Sequence, residues 1–474
     1  MSRLFVSTPV AAACGLFLAA SAAFTTPAHA ADDASLKQLR QQIDEMRQQY
    51  ESRLRDLEKR LGDAEQQARQ ARDQQAQAAA TAAPASQPDA YANNTPSAPA
   101  SSAGGGFNPS VAVILSGTYA NIKRDPATWK LNGFATGDGE IGPGEKGFNL
   151  GESEITLAAN IDPWWYGALT ASFNAENEVE VEEAFIQTTA LSDGVKIKAG
   201  RFFSAIGYLN EQHAHTWDFV DAPLAYQAFL GGQLGQDGVQ AKWLLPTDQF
   251  IEVGAELGRG ANYPGTDTGR NGAGASAVFA HIGGDVGDSN SWRAGLSHLW
   301  TKATDRAWDD DTVGAGSFTG NSRLWVVDGV WKWAPNGNGK VTNFKLQGEY
   351  FRRAEKGDAV YGLDPDDSSV TGTSAAYRSA QSGWYLQGVY QFMPTWRVGL
   401  RYDQLDTGSV KFDGVNLAPD YNPRRTSVML DWSLSEFSRW RLQLNDDRTR
   451  DGQSDPQIFL QYQMSLGAHG AHSY

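Results

Sequence analysis

The sequence predicts an all-β transmembrane barrel of about sixteen antiparallel strands, preceded by an N-terminal α-helical coiled coil. Three observations carry this. From Val111 onward the side chains alternate with a period of two. At the end of the chain, for example, Ile458, Leu460, Tyr462, Met464 and Leu466 share one face, and Phe459, Gln461, Gln463 and Ser465 the other. The connections between such runs alternate short and long, as the two rims of a membrane barrel require. The bulk composition, 41% hydrophobic with a mean hydropathy of −0.45, is that of a soluble chain. A transmembrane barrel shows the same composition, because each lipid-facing residue alternates with a lumen-facing one.

The chain has 474 residues, with 50 glycines, 15 tryptophans and 11% aromatics, a profile that favours a large single barrel over a soluble helical enzyme. Its net charge of −15 argues against nucleic acid as a partner, since phosphate binding needs clustered cations. Residues 1–30 read as an export signal: Arg3 is the basic start, Val10 to Phe24 is apolar or small, and Ala28-His29-Ala30 has the small-x-small form of a cleavage site. The single cysteine, Cys14, falls inside that segment. A lipoprotein reading of Ala11-Ala12-Ala13-Cys14 competes, but it cuts the apolar run in half. No later run is long and apolar enough for a membrane-spanning helix.

Residues 31–73 form the predicted periplasmic coiled coil. Leu36, Leu39, Ile43, Met46, Tyr50, Leu54, Leu57 and Leu61 recur at steps of three and four, with one stutter from Met46 to Leu54, and the seam fades into alanine by Ala71. So polar a helix has no core of its own, and self-association is the expectation; the seam does not give the number of strands, and a homotrimer is what a channel reading expects. Residues 74–106, rich in Ala, Pro, Ser and Gly, read as a linker that buries too little apolar surface to fold.

The barrel occupies 107–474. Alternation marks strands at 111–122, 148–161, 164–175, 178–190, 194–203, 236–245, 249–259, 273–283, 291–302, 322–334, 341–353, 380–393, 395–405, 424–434, 438–446 and 457–466. Short turns such as Ile161-Asp162-Pro163 and Met393-Pro394 follow the even strands. Long loops follow most odd ones, for example 123–147, 204–235, 303–321, 354–379 and 406–423. Trp164, Trp165 and Tyr166 open one strand beside a short turn, and Trp331, Trp333, Trp396 and Trp440 flank others, where rings suit the headgroup level of a bilayer.

With the apolar faces assigned to lipid, Lys345, Arg353, Arg397, Arg401, Arg425, Arg439 and Arg441 fall on the lumen side of neighbouring strands as a pore-lining basic wall. Glu152 and Glu154, Glu178, Glu180, Glu182 and Glu183 gather elsewhere. The loop 204–235 is long and aromatic, without helix or strand spacing, and carries Glu211, His213, His215, Asp218 and Asp221. A loop of this composition needs a surface to pack on and is expected to fold into the barrel as a constriction, its acids facing the basic wall across a transverse field. Histidine ligates zinc, so His213 and His215, with His469 and His472 near the C-terminus, are the candidate metal ligands; their spacing matches no zinc signature, and no other cofactor is indicated. No nucleophile elbow, phosphate-cradling loop or metalloprotease motif is present, and nothing sets Ser204, His213 and Asp218 apart as a triad, so no enzymatic activity is expected.

On its strand number, folded-in third loop and arginine wall, the part from Phe107 to Tyr474 resembles Gram-negative outer-membrane porins of the phosphate-selective group, some of which carry an N-terminal coiled coil. The stretches Phe107-Asn108-Pro109-Ser110, Gly200-Arg201-Phe202-Phe203, Asn210 to Asp218 and Ser465 to Tyr474 resemble uncharacterised proteobacterial outer-membrane proteins often labelled zinc-regulated TonB-dependent receptors. That label implies a plug inside about 22 strands. The expected partners are outer-membrane lipids and small hydrophilic solutes, with some bias toward anions. The competing expectations are a receptor or transporter for zinc or a metal complex, and a structural protein whose helix tethers the outer membrane to the cell wall.

Overall fold

The computed structural model describes residues 109–467, apart from 137–140, 174–177, 267–268, 270, 311–313 and 364–370. The expected signal, coiled coil and linker, together with His469 and His472, lie outside the described residues.

Eighteen strand segments form one closed antiparallel sheet. They are β1 (Ser110–Ile122), β2 (Gly147–Leu150), β3 (Ser153–Asn160), β4 (Trp165–Phe173), β5 (Val179–Thr188), β6 (Val195–Phe203), β7 (Gly235–Leu244), β8 (Phe250–Gly258), β9 (Ala275–Val286), β10 (Asn290–Asp310), β11 (Gly314–Trp333), β12 (Asn343–Leu363), β13 (Thr373–Met393), β14 (Trp396–Phe412), β15 (Val415–Asn416), β16 (Arg424–Ser435), β17 (Ser438–Arg448) and β18 (Asp455–Gly467). β2 and β3 both pair with β1 and are one strand broken at Gly151-Glu152, and β15 is a two-residue hairpin return on β14. Sixteen strands therefore make the wall. β1 pairs with β18 from Ala112↔Gly467 to Ile122↔Gln457, and that seam leaves no open edge. A wall of sixteen is the porin-sized count, below the 22 strands that the TonB-dependent receptor label implies.

The pleat sorts the side chains as the alternation requires. Along β12, Gln347, Glu349, Phe351, Arg353 and Glu355 are buried inside, while Leu346 and Tyr350 are exposed outside. The outer face carries two belts of exposed rings. Trp165, Trp243, Trp292, Trp331, Trp432 and Trp440 lie near the short-turn end; Tyr119, Trp300, Trp325 and Trp384 lie one level higher. From Trp292 to Trp300 on β10 the strand climbs about 20–26 Å at about 3.3 Å per residue, depending on tilt, which matches the roughly 25 Å apolar band of a membrane barrel. Leu296 lies between the two, exposed.

Two expectations need correction. Residues 303–321 and 354–379, read as long loops, are largely strand: β10 and β11 pair as far as Asp310↔Gly314, and β12 and β13 as far as Tyr361↔Thr373. Above the upper belt the outer face meets water, so the sequence alternation weakens although the backbone pairing continues. The loop after β6, read as devoid of regular structure, contains a 3-10 turn (Ala214–Thr216) and a helix, α1 (Leu224–Leu230). All seven residues of α1 are buried. A short helix that is buried on every side, Gln227 included, has no amphipathic period to read. Pro223 precedes it, and Gly231, at φ 68°, closes it in the left-handed region that glycine adopts without strain.

Candidate functional site

Residues 204–234 run inward from the end of β6 and pack across the lumen. The apolar part of this loop, Ile206, Leu209, Trp217, Leu224, Tyr226, Phe229 and Leu230, rests on an unusual inward-facing apolar patch of the wall formed by Ala277, Leu299, Leu324, Val326, Phe351, Tyr385 and Leu405. The Phe229 ring stacks on Phe351 at 6.0 Å, and Tyr226 meets the same ring edge-on at 5.0 Å. Leu131 and Phe134 of the first long loop close over the same cluster. The sequence's aromatic loop thus finds its surface inside the barrel.

Polar latches fix its path. The Glu349 carboxylate accepts from the Tyr208 N–H at 3.0 Å, the Leu209 N–H at 3.1 Å, the Tyr226 hydroxyl at 2.9 Å and the Tyr385 hydroxyl at 2.6 Å. Gly207 makes this approach possible: its φ is 72°, and a Cβ there would collide with Glu349 Oε2. At the loop's base Glu256 accepts from Ser204 Oγ at 2.5 Å and the Ala205 N–H at 2.8 Å. Asn210 donates to the Ser204 and Leu234 carbonyls, tying the two ends together.

The seven predicted wall cations all point inward, on β12, β14, β16 and β17, and the structure divides them. Arg353, Arg401, Arg425 and Arg441 have side chains at most 1% exposed and lie beneath the loop. They donate to loop carbonyls: Arg353 to Ala228, Arg401 to Asp221, Arg425 to Ala222 and Arg441 to Trp217. They are the loop's mount and do not line open water. Lys345 and Arg397 keep 24% and 27% exposure while both meet Asp218, at 2.5 and 3.2 Å. Arg439, half-buried, donates to the His215 carbonyl at 3.1 Å. Asp221 takes Arg401 at 2.7 Å and Arg425 at 3.0 Å. Burial alone would raise both aspartates. Lys345, Arg397 and Arg441 around Asp218, and Arg425 and Arg401 around Asp221, outweigh it and hold each at about 2. The acids of the loop therefore neutralise the basic wall at contact distance, where the sequence suggested a field across open lumen. Glu211 faces the other way and pairs with Lys242 on β7 at 2.6 Å.

His213 and His215 come together, their rings 5.8 Å apart, against the acids of β3 and β5. His213 Nδ1 lies 2.9 Å from Glu182 and 3.3 Å from Glu154, its Nε2 lies 3.1 Å from Glu183, and His215 Nδ1 is 2.7 Å from Glu154. Burial would lower the His213 pKa, but Glu154, Glu182 and Glu183 win and hold it well above the ordinary value. The sequence shows both groups of residues but not their meeting, since Glu154 and His213 are on elements far apart in the chain.

Sequence reasoning also missed four inward cations near the short-turn end: Lys196 and Lys198 on β6, Lys242 on β7 and Arg293 on β10, all half-buried. The signal was available in the pleat, because each is adjacent to an exposed apolar residue, Ile197, Trp243 or Trp292. With Lys345, Arg397 and Arg439 they place seven half-buried cations on six strands around the interior.

No family model matches the chain. An uncharacterized protein of Aquifex aeolicus is 28% identical over 393 residues, 78% of this chain and 80% of that one. Among solved structures, a loop L8 deletion mutant of OmpT, an outer membrane protein of Vibrio cholerae, superposes with a TM-score of 0.48 at 10% identity over 76% of this chain and 99% of that one. The outer membrane channel DcaP of Acinetobacter baumannii does so at 0.45 and 12% identity, over 76% and 98%. Pseudomonas putida OprB gives 0.45 and 13%, over 76% and 94%.

Proposed function

We propose that the chain is a passive outer-membrane channel for small hydrophilic solutes, biased toward small anions such as inorganic phosphate. The observation that carries this reading is the division of the wall cations. One set is consumed in holding loop 204–234 inside the barrel, which narrows the lumen. The other set, Lys196, Lys198, Lys242, Arg293, Lys345, Arg397 and Arg439, remains half-buried around the interior. A ring of cations at a constriction with low-dielectric walls concentrates anions and repels cations. The bias is tempered by Asp218 and Glu211, which pair with three of the seven. In this reading the short turns and the chain termini face the periplasm, and a coiled coil at 31–73 gathers three copies.

The test is uptake by proteoliposomes of three solutes of equal size, one anionic, one neutral and one cationic. The anion should enter fastest and the cation slowest. Lys345→Ala combined with Arg397→Ala should reduce the difference without closing the pore. Equal entry of all three, or none, removes the proposal.

A further inference from the structure

The His213 cluster lies where the loop meets β3 and β5 and is not needed for the channel reading. Its residues come from three elements: Glu154 from β3, Glu182 and Glu183 from β5, and His213 and His215 from the 3-10 turn of the loop. One ligand atom each from Glu154, Glu182 and His213 lie within 4.8 Å of one another, close enough for all three to reach a single ion. A second observation points to a ligand. Glu154 is 2% exposed, and among the described residues its Oε2 makes no well-formed hydrogen bond, with His213 Nδ1 as a loose ion-pair partner at 3.3 Å. A buried carboxylate oxygen held only by so loose a contact gains from a cation that meets it directly. The charge count agrees, since three carboxylates surround two imidazoles that are neutral when they act as ligands.

We infer that His213, Glu154 and Glu182 form a divalent-cation site of the zinc type inside the lumen. One imidazole nitrogen and two carboxylate oxygens are a donor set that borderline ions such as Zn²⁺ accept and that Mg²⁺, which prefers oxygen and water, does not favour. Glu183 reaches the other nitrogen of His213, and His215 holds the second oxygen of Glu154, the outer contacts that orient metal ligands. The bound ion would join β3, β5 and the loop and so strengthen the hold of that part of the wall on the constriction.

Calorimetry with ZnCl₂ on the folded, detergent-solubilised full chain tests this. The wild type should bind one more Zn²⁺ per chain than His213→Ala. Glu182→Gln, which keeps the ring, should weaken that site about tenfold or more, and Glu183→Gln about tenfold. His281→Ala removes another buried histidine, paired with Glu252 at 3.1 Å, and should change nothing. Zinc bound elsewhere, for instance at the terminal histidines, survives in every variant and cancels in the comparison. An isotherm unchanged in both His213→Ala and Glu182→Gln overturns the site, as does the absence of saturable binding in wild type whose heat-modifiable gel migration shows it folded. Should His213→Ala fail to fold, Glu182→Gln alone decides in the same way.

Discussion

Arg401 shows how a lumen arginine becomes structural. It is sealed under the loop, donates to the Asp221 backbone and pairs with both Asp221 and Asp403, so truncating it leaves the two carboxylates to share Arg425 alone. Arg401→Ala should destabilise the barrel by about 2–4 kcal/mol, read from urea unfolding, because two carboxylates lose their nearest counter-charge and keep only Arg425. Gly207→Ala and Glu349→Ala act on one latch from its two sides. The first places a Cβ against Glu349, and the second leaves the Tyr208 N–H and the Tyr226 and Tyr385 hydroxyls without that acceptor. Each should cost about 2–4 kcal/mol and should open the loop to proteases added to folded protein. The loop aspartates set an acid limit. Asp218 and Asp221 sit at about 2, below the roughly 3.9 of a free aspartate, so their pairing is fully stabilising above about pH 4 and is lost as pH falls through 2. Pepsin should nick the loop much faster at pH 2 than at pH 4, and Asp221→Asn should narrow that difference by loosening the loop at both. The inward direction of these arginines was legible in the sequence, since the pleat fixes it. Their partners were not, because the loop that brings Asp218 and Asp221 to them follows no period.

Among the elements, the loop with α1 is the one that makes a wide barrel narrow. Its anchor ring, Phe229, is fully buried between Phe351 and Phe134. Phe229→Ala should therefore free the helix at a cost of about 3–5 kcal/mol, and the single-channel conductance should rise and become noisier. The wall was readable from sequence because each strand segment within the bilayer has one face against lipid and one against the lumen, which forces alternation. Where that pressure ends, legibility ends too. The upper halves of β10 to β13 are exposed to water outside and were mistaken for loops, and α1 was invisible because its seven residues are buried all round. The first long loop shows the same limit. Its Leu131 and Phe134 carry no periodic signal, yet they cap the core that α1 builds.

For the whole molecule, closure is the property on which the others depend. The β1–β18 seam satisfies the last edge, the outer belts fit a bilayer, and the enclosed space is lined by charged and amide side chains and divided by the folded-in loop. Strand number and rim asymmetry were legible at this scale because turn chemistry and alternation repeat sixteen times and errors at single boundaries cancel. The uneven interior, with an apolar patch, buried arginines and a histidine–glutamate cluster each on its own strands, was not legible, since it depends on which strands become neighbours of the loop. The central claim is that water-filled space runs past this loop and favours anions. It is tested most directly by inserting the folded protein into a planar bilayer across a tenfold KCl gradient and measuring the potential at which the current reverses. Discrete conductance steps with a reversal potential showing Cl⁻ more permeant than K⁺ are the predicted result; a silent bilayer, or steps that favour K⁺, would contradict it.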